Sequence, residues 1–263
     1  MKIFLSFLLA LSGTCCKAQE WQAEIMAGVS GYNGDLTQQR IPLKALRPAI
    51  NLNLKYNSGD FINFRIGLAY GRIGADDRNN SDPLLKNRKL NFKSDIVELN
   101  VITEINLFDP ESYTSYPYIF GGVGVFYFNP FTYDNNNKKT YLHPLSTEGE
   151  GLKEYPGRKK YSLIQVCLPV GVGWKIPLNE KWDMSIEGGY RFTFTDYLDD
   201  VSKNYIDLGI LAAEKGPTAA ELSYRQSTPL TIADVRGNPS IKDVYYFGGI
   251  KFTTSLTNLF GRR

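Results

Sequence analysis

Of the side chains that most often carry covalent chemistry, this 263-residue sequence holds one histidine, His143, and three cysteines, Cys15, Cys16 and Cys167. A single imidazole in a proline-containing loop excludes a histidine triad or a multi-histidine metal site within one chain. The acidic residues offer more. Asp196, Tyr197, Asp199 and Asp200 stand close together, a spacing that could gather a calcium ion or contact another protein from a loop, although it lacks the EF-hand pattern. A solvated turn or a helix cap is the simpler reading of the same residues, and it applies equally to Asp76 and Asp77. Thr147-Glu-Gly-Glu-Gly151 has the glycines of a phosphate loop without its Lys-Ser/Thr ending. These residues point to no catalytic group, no metal and no cofactor.

The remaining charges form a pattern instead of a cluster. Over 47–57, Ile50, Leu52, Leu54 and Tyr56 alternate with Asn51, Asn53 and Lys55; after the turn Asn57-Ser58-Gly59-Asp60, Phe64, Ile66, Leu68 and Tyr70 alternate with Asn63, Arg65, Gly67 and Ala69. Period two on both sides of a short polar turn predicts a β-hairpin. Similar strands are predicted over 21–29, 91–107, 116–128, 164–176, 182–194 and 244–256, which makes eight. Glu24, Lys55, Arg65, Glu98, Glu104, Lys175, Glu187, Arg191 and Lys251 then all project to the side opposite the apolar rows. Gly121, Gly122 and Gly124 blur the fifth strand, where they allow curvature or close packing against a bulky neighbour. Pro169 removes a ladder donor and implies a bulge or other irregularity. Residues 205–215 read as a short helix inside the longest loop.

At the N-terminus, Lys2, the apolar run 3–11 and the first acidic residue only at Glu20 read as a secretory signal peptide, 1–18, leaving 19–263 as a single domain. The adjacent cysteines raise a lipoprotein reading, but neither follows the expected small-residue box. Removal of 1–18 lowers the formal charge from +3 to +1 and leaves Cys167 as the sole cysteine, so no disulfide can form within the mature chain. No basic stripe points to nucleic acid. Seventeen tyrosines, fifteen phenylalanines and twenty-four glycines beside a negative mean hydropathy suit a chain whose apolar face is turned to lipid while its loops and interior are wet.

Long connections after strands one, three, five and seven alternate with short turns after two, four and six, the asymmetry of an outer-membrane barrel. The expected fold is therefore an all-β, eight-stranded antiparallel transmembrane barrel with long extracellular loops and both termini periplasmic. Closure removes the free edges that an open sheet would expose in lipid. Eight strands leave room only for packed side chains or a small ligand, so the inward charges are expected to pair and seal the lumen, spread along its length. Trp21, Tyr56, Tyr70, Phe108, Tyr116, Tyr127, Trp174, Trp182 and Phe194 are expected to form interfacial girdles in contact with outer-membrane lipid. Leu259-Phe260 resembles a terminal assembly signal, although Gly261-Arg262-Arg263 follows it.

Five stretches carry a more specific likeness: Asn91-Phe-Lys-Ser-Asp-Ile-Val-Glu-Leu99, Gly121-Gly-Val-Gly-Val-Phe-Tyr-Phe-Asn-Pro130, Leu145-Ser-Thr-Glu-Gly-Glu-Gly151, Phe194-Thr-Asp-Tyr-Leu-Asp-Asp-Val-Ser202, and Arg236-Gly-Asn-Pro with Asp243 and Tyr245. With these the chain resembles a Bacteroidota family of outer-membrane β-barrels that includes an accessory protein of the type IX secretion and gliding machinery. The resemblance implies a non-enzymatic component that anchors or scaffolds a periplasmic ring containing a lipoprotein, among other secretion components. It brings no catalytic residues with it. A general outer-membrane structural protein or a narrow channel is the alternative.

Overall fold

The computed structural model describes residues 20–37, 39, 41–226, 228–229 and 234–261; the proposed signal segment 1–18 lies outside them. Eight long strands form the wall: β1 (Glu20–Asn33), β2 (Arg47–Asn57), β3 (Ile62–Asp76), β4 (Asn91–Asn106), β5 (Tyr116–Tyr127), β8 (Ile164–Pro177), β9 (Trp182–Thr193) and β10 (Val244–Ser255). A small hairpin, β6 (Phe131–Tyr133) and β7 (Lys139–Tyr141), stands on the rim. Every wall strand pairs antiparallel with its neighbours. The ring closes because β1 pairs with β10 while β3 pairs with β4.

Alternation sorts the side chains as period two requires. On β3, Ile62, Phe64, Ile66, Leu68 and Tyr70 point outward and are exposed, while Asn63, Arg65 and Ala69 are buried. That outward row runs about 27 Å along the strand, roughly 20 Å along the barrel axis after a tilt of about 40°. Equivalent rows continue around the ring: Leu52 and Leu54 on β2, Leu99 and Val101 on β4, Val170 and Val172 on β8. So continuous an apolar belt, far beyond the patch a soluble protein tolerates, marks a wall that spans a bilayer.

Trp21, Tyr56, Phe108, Trp174 and Trp182 ring the short-turn end of the belt, and Tyr70, Tyr127 and Phe194 lie toward the long-loop end. Tyr116 does not join them. It is 5% exposed and faces inward, with Lys175 Nζ 5.7 Å from its ring centre. The glycines of strand five had hidden the parity that settles this.

Pro169 produces the expected irregularity but no bulge: the β5–β8 ladder opens at Pro169, between Gly121–Val170 and Gly124–Cys167, while both sides keep one register and the β8–β9 pairing runs unbroken through Pro169 and Arg191. Strand one is longer than its alternation suggested, because Ser30, Gly31, Tyr32 and Asn33 continue to pair with β10.

The short turns and both described ends, Glu20 and Gly261, lie at one end of the barrel. The described residues of the long connections 34–46, 77–90, 128–163 and 194–243 gather at the other and form a packed cap. It contains α1 (Pro83–Arg88), α2 (Leu208–Lys215) and α3 (Pro217–Ser223). Asp207 caps α2 by accepting from the N–H groups of Gly209 and Ile210, so this helix begins three residues after the predicted start. Leu152, Ile206, Leu211 and Ala219 form a small apolar core inside the cap. After β10 the chain turns into α4 (Leu256–Phe260), capped by Ser255, which places Leu259 and Phe260 on a helix and not at a strand end.

Candidate functional site: a charged bore beneath a locked cap

All nine inward charges named above are buried. They are not spread evenly: strand tilt brings six of them, from six strands, into one knot near the short-turn end. Glu187 is its centre. Arg65 donates to both of its carboxylate oxygens, at 2.6 and 3.1 Å, Lys251 donates at 2.8 Å, and the Tyr118 hydroxyl donates at 2.7 Å. Lys55 donates to Glu104 at 2.6 Å. Arg65 and Lys251 each lie 3.4–3.6 Å from Glu24 and Glu104 as well. Three cations thus meet three carboxylates, and the β3-to-β9 link carries the knot across the bore.

Packing fixes the knot from above. Phe120 lies against the Arg65 guanidinium, 4.8 Å from its carbon to the ring centre, and a Cβ at Gly171 or Gly189 would collide with that ring. Higher in the bore Glu98 accepts from Asn100 at 2.6 Å, from the Tyr245 hydroxyl at 2.8 Å and from Arg191 at 3.3 Å. Arg191 in turn lies over Phe247. Phe126, Phe128, Tyr245 and Phe247 then fill the lumen with rings in mutual contact. Lys175 stands apart at the short-turn mouth, 4.0 Å from Asp183.

Two buried arginines lock the four cap loops together. Arg236 donates to Glu148 Oε1 at 2.9 Å and to the carbonyl of Asp200 at 2.5 Å. Glu148 also accepts from the backbone of Ser202 and Lys203, each at 2.9 Å. The hydroxyls of Thr147 and Tyr161 donate to Asp200, at 2.5 and 2.6 Å. Arg88 holds Asp77 through two 2.7 Å bonds and donates to the carbonyls of Arg236 and Asp35. Tyr32, rising from the wall, donates to Asp199 at 2.5 Å and lies 3.1 Å from Asp243.

This placement corrects the reading of Asp196, Tyr197, Asp199 and Asp200 as solvated loop residues. The three carboxylates are 3%, 1% and 0% exposed, and Tyr197 is half-buried and stacked on Tyr161. Their partners lie far off in sequence: Tyr32 on β1, Thr147 and Tyr161 in the 128–163 connection, and Arg236 36 residues further along the same loop. Among the described residues, no group of three or more His, Cys, Asp or Glu is placed to hold a metal ion. His143 packs edge-on against Tyr161 with Nε2 3.0 Å from its carbonyl oxygen, a structural contact. Sequence reasoning singled out neither Glu148 nor Arg236 as a site residue. The signal was present in the five stretches quoted above: 145–151, 194–202 and 236–243 converge here, and 91–99 and 121–130 occupy the long-loop halves of β4 and β5.

Acid outweighs base in the cap, and burial shows it. Glu150 is pushed up to about 8 by burial, then by Asp200 and Glu148, against the pull of Arg236. Burial also raises Asp196 to about 7 and Asp200 to about 6, and it holds Asp199 and Asp243 well above the ordinary carboxylate range. An acid that binds its proton more tightly when folded contributes stability that is complete below its unfolded pKa and is lost as pH rises through its folded pKa. The cap is therefore expected to loosen between about pH 4.5 and 8, the reverse of the usual salt-bridged carboxylate. Hydrogen exchange of the amides of Gly149, Ser202 and Lys203, corrected for intrinsic rates, should show protection falling across that window. Protection that rises with pH would refute the assignment.

A family model described as a domain of unknown function (DUF6089) matches residues 1–211. The chain belongs to this family. The DUF6089 match takes in seven of the eight wall strands and the Glu148 and Asp200 side of the cap network, and it ends before Arg236 and β10. No curated protein sequence matches. Among solved structures this DUF6089 chain is similar to Neisserial surface protein A, at 8% identity and a TM-score of 0.45 over 89% of this chain and 96% of that one. It is also similar to Ail, the attachment invasion locus protein of Yersinia pestis, solved with the heparin analogue sucrose octasulfate, at 9% identity and 0.40 over 90% and 97%. A third is the outer membrane protein OprG from Pseudomonas aeruginosa, at 12% identity and 0.38 over 89% and 96%. No residue correspondences follow at such identities.

Proposed function

We propose that the protein is a non-enzymatic structural barrel of the outer membrane, with its short turns and both termini in the periplasm and its locked cap facing outward. The observation that carries this reading is the knot around Glu187, whose two bonds from Arg65 join opposite walls of the bore, beneath a plug of aromatic rings. A bore crossed in this way supports a structural element over the narrow channel. Purified protein in planar bilayers should give no discrete conductance steps at moderate voltage; reproducible openings that disappear with the protein would replace the structural reading by the channel.

A second reading rests on the family resemblance: a component of the type IX secretion and gliding machinery of Bacteroidota that fixes a periplasmic ring lipoprotein to the membrane through the turns at 57–60, 109–115 and 177–181. The likeness to that family runs over nearly the whole mature chain, but the five stretches that carry it lie in the long-loop half of the molecule, which gives the turns no separate support. Photo-crosslinking from Asp60, Glu111 and Glu180 in native membranes separates the two. A ring lipoprotein captured from these turns supports the scaffold, and capture confined to cap positions counts against it.

A further inference from the structure

Outside the wall, where the hairpin β6–β7 docks on β4 through the Lys93–Phe131 pair, lies a cleft of about 740 Å³ between the hairpin and the end of α3. That volume suits a ligand of several rings. Its lining is mixed in a particular way. Arg78, Lys89, Lys93 and Arg225 supply cations, Asn91 and Asn135 supply amides, and the Tyr133 ring is exposed on one side.

The carboxylates that border the cleft are engaged by the protein itself. Asp76 accepts from the Arg78 guanidinium and from its backbone N–H. Asp134 accepts from the N–H groups of Asn136 and Lys138, at 2.9 and 2.8 Å, closing the hairpin turn. Glu221 accepts from Asn135 N–H at 3.0 Å. Lys93 differs: its ammonium lies 5.3 Å from the Tyr133 ring centre and, among the described residues, forms no ion pair with a carboxylate. On the neighbouring strand Lys139 lies 3.9 Å from the Phe131 ring centre. Cations held over aromatic faces, beside amides and with the acids already satisfied, present a positive surface with a flat apolar side.

We propose that this cleft binds an anionic saccharide, a sugar carrying a phosphate or a carboxylate. The ammonium of Lys93 faces the anion. The guanidinium of Arg225, which already donates to the Tyr133 carbonyl at 2.5 Å and lies 4.0 Å from Glu221, adds its remaining N–H groups. The amides of Asn91 and Asn135 serve hydroxyls as both donor and acceptor, and the Tyr133 ring covers an apolar sugar face. Height along the wall suggests where such a ligand comes from. Outward on β4 the apolar row Val101, Leu99, Val97 gives way to Asp95, paired with Arg72 at 2.6 Å, and then to Lys93. Lys93 stands four residues, about 13 Å of strand, beyond the last apolar position, at the level of lipid headgroups if the cap faces outward. Two sources therefore share the chemistry: headgroup sugars of the outer leaflet, or a free acidic polysaccharide. The placement beside headgroups rests on the proposed orientation of the barrel; the binding chemistry does not.

The test uses the full folded protein in detergent and in nanodiscs. In detergent, trigalacturonate is titrated against its methyl ester; in nanodiscs, a phosphorylated lipid A is compared with its dephosphorylated form. Wild-type protein should prefer the charged form of at least one pair by about tenfold, and Lys93→Gln, and separately Tyr133→Ala, should weaken that binding by about tenfold. Preference in the soluble pair alone assigns a free polysaccharide, and in the lipid pair alone a leaflet headgroup. Binding of neither pair, equal binding of charged and neutral forms, or binding untouched by both substitutions in variants that keep the folded gel mobility overturns the proposal. Because trigalacturonate needs no membrane, a wrong orientation and a wrong ligand class fail separately.

Discussion

Glu187→Gln should lower the stability of the folded barrel by about 3–5 kcal/mol, the cost of stripping one partner from a buried ion pair. Arg65, Lys251 and the Tyr118 hydroxyl all converge on this carboxylate. With it neutralised, three buried cations face two carboxylates, and the contacts of 3.4–3.6 Å to Glu24 and Glu104 cannot replace the bonds that are lost. Urea titration of protein refolded into lipid vesicles, followed by the heat-dependent gel shift, reads the effect directly. The companion experiment removes both charges: Glu187→Leu with Arg65→Met leaves two cations against two anions, and much of the loss should return because well-packed apolar groups replace a desolvated pair. Arg78→Ala on the exposed rim, where the pair with Asp76 is largely hydrated, should cost no more than about 1 kcal/mol. A Glu187→Gln protein as stable as wild type would mean that the knot is not what holds the bore.

Arg236→Met should release the cap while leaving the wall intact. The side chain keeps its bulk but no longer offers charge or donors to Glu148 and the Asp200 carbonyl, and both carboxylates stay buried without it. A cost of about 3–5 kcal/mol falls locally, so the population of open cap should rise by two orders of magnitude or more. Limited proteolysis should then cut within 145–160 and 196–226, sites expected to resist cleavage in the wild type because they are packed into the cap, with the barrel still resistant and still shifting on heating. Arg236→Lys should be intermediate, since an ammonium restores the charge without the guanidinium fork. Unchanged protection in Arg236→Met would show that apolar packing around Leu152, Ile206 and Leu211 suffices to hold the loops.

The wall was legible because period two leaves a direct trace. Ile50 to Tyr56 and Phe64 to Tyr70 state their faces in their order, and the hairpin forms with Tyr56 opposite Phe64. Legibility failed where a residue's neighbours could not reveal its face or its partner. Nothing near Tyr116 declares its face, because Gly121, Gly122 and Gly124 carry no side chain. Asp199 and Asp200 read as solvated because their partners lie far off in sequence: Tyr32 on β1, Thr147 in the 128–163 connection and Arg236 at the distal end of their own loop. Even so, the long loops contained a warning: Leu198, Val201, Ile206, Leu211 and Leu222 are all buried, and a freely solvated connection has no use for so many apolar residues.

The seam between the first and last wall strands has a consequence for how the molecule is made. Gln22 pairs with Ser255 and Asn33 with Val244, contacts between the most distant parts of the described chain, so the ring cannot shut until nearly everything else has been threaded into place. Contacts of such sequence separation form slowly. Until they do, a half-built cylinder holds three lysine or arginine heads and three glutamates against hydrocarbon, and an unpaired strand on either side invites the wrong neighbour. The interior that steadies the finished barrel is thus a hazard to its precursor, and the order of events during insertion matters as much as the final energy.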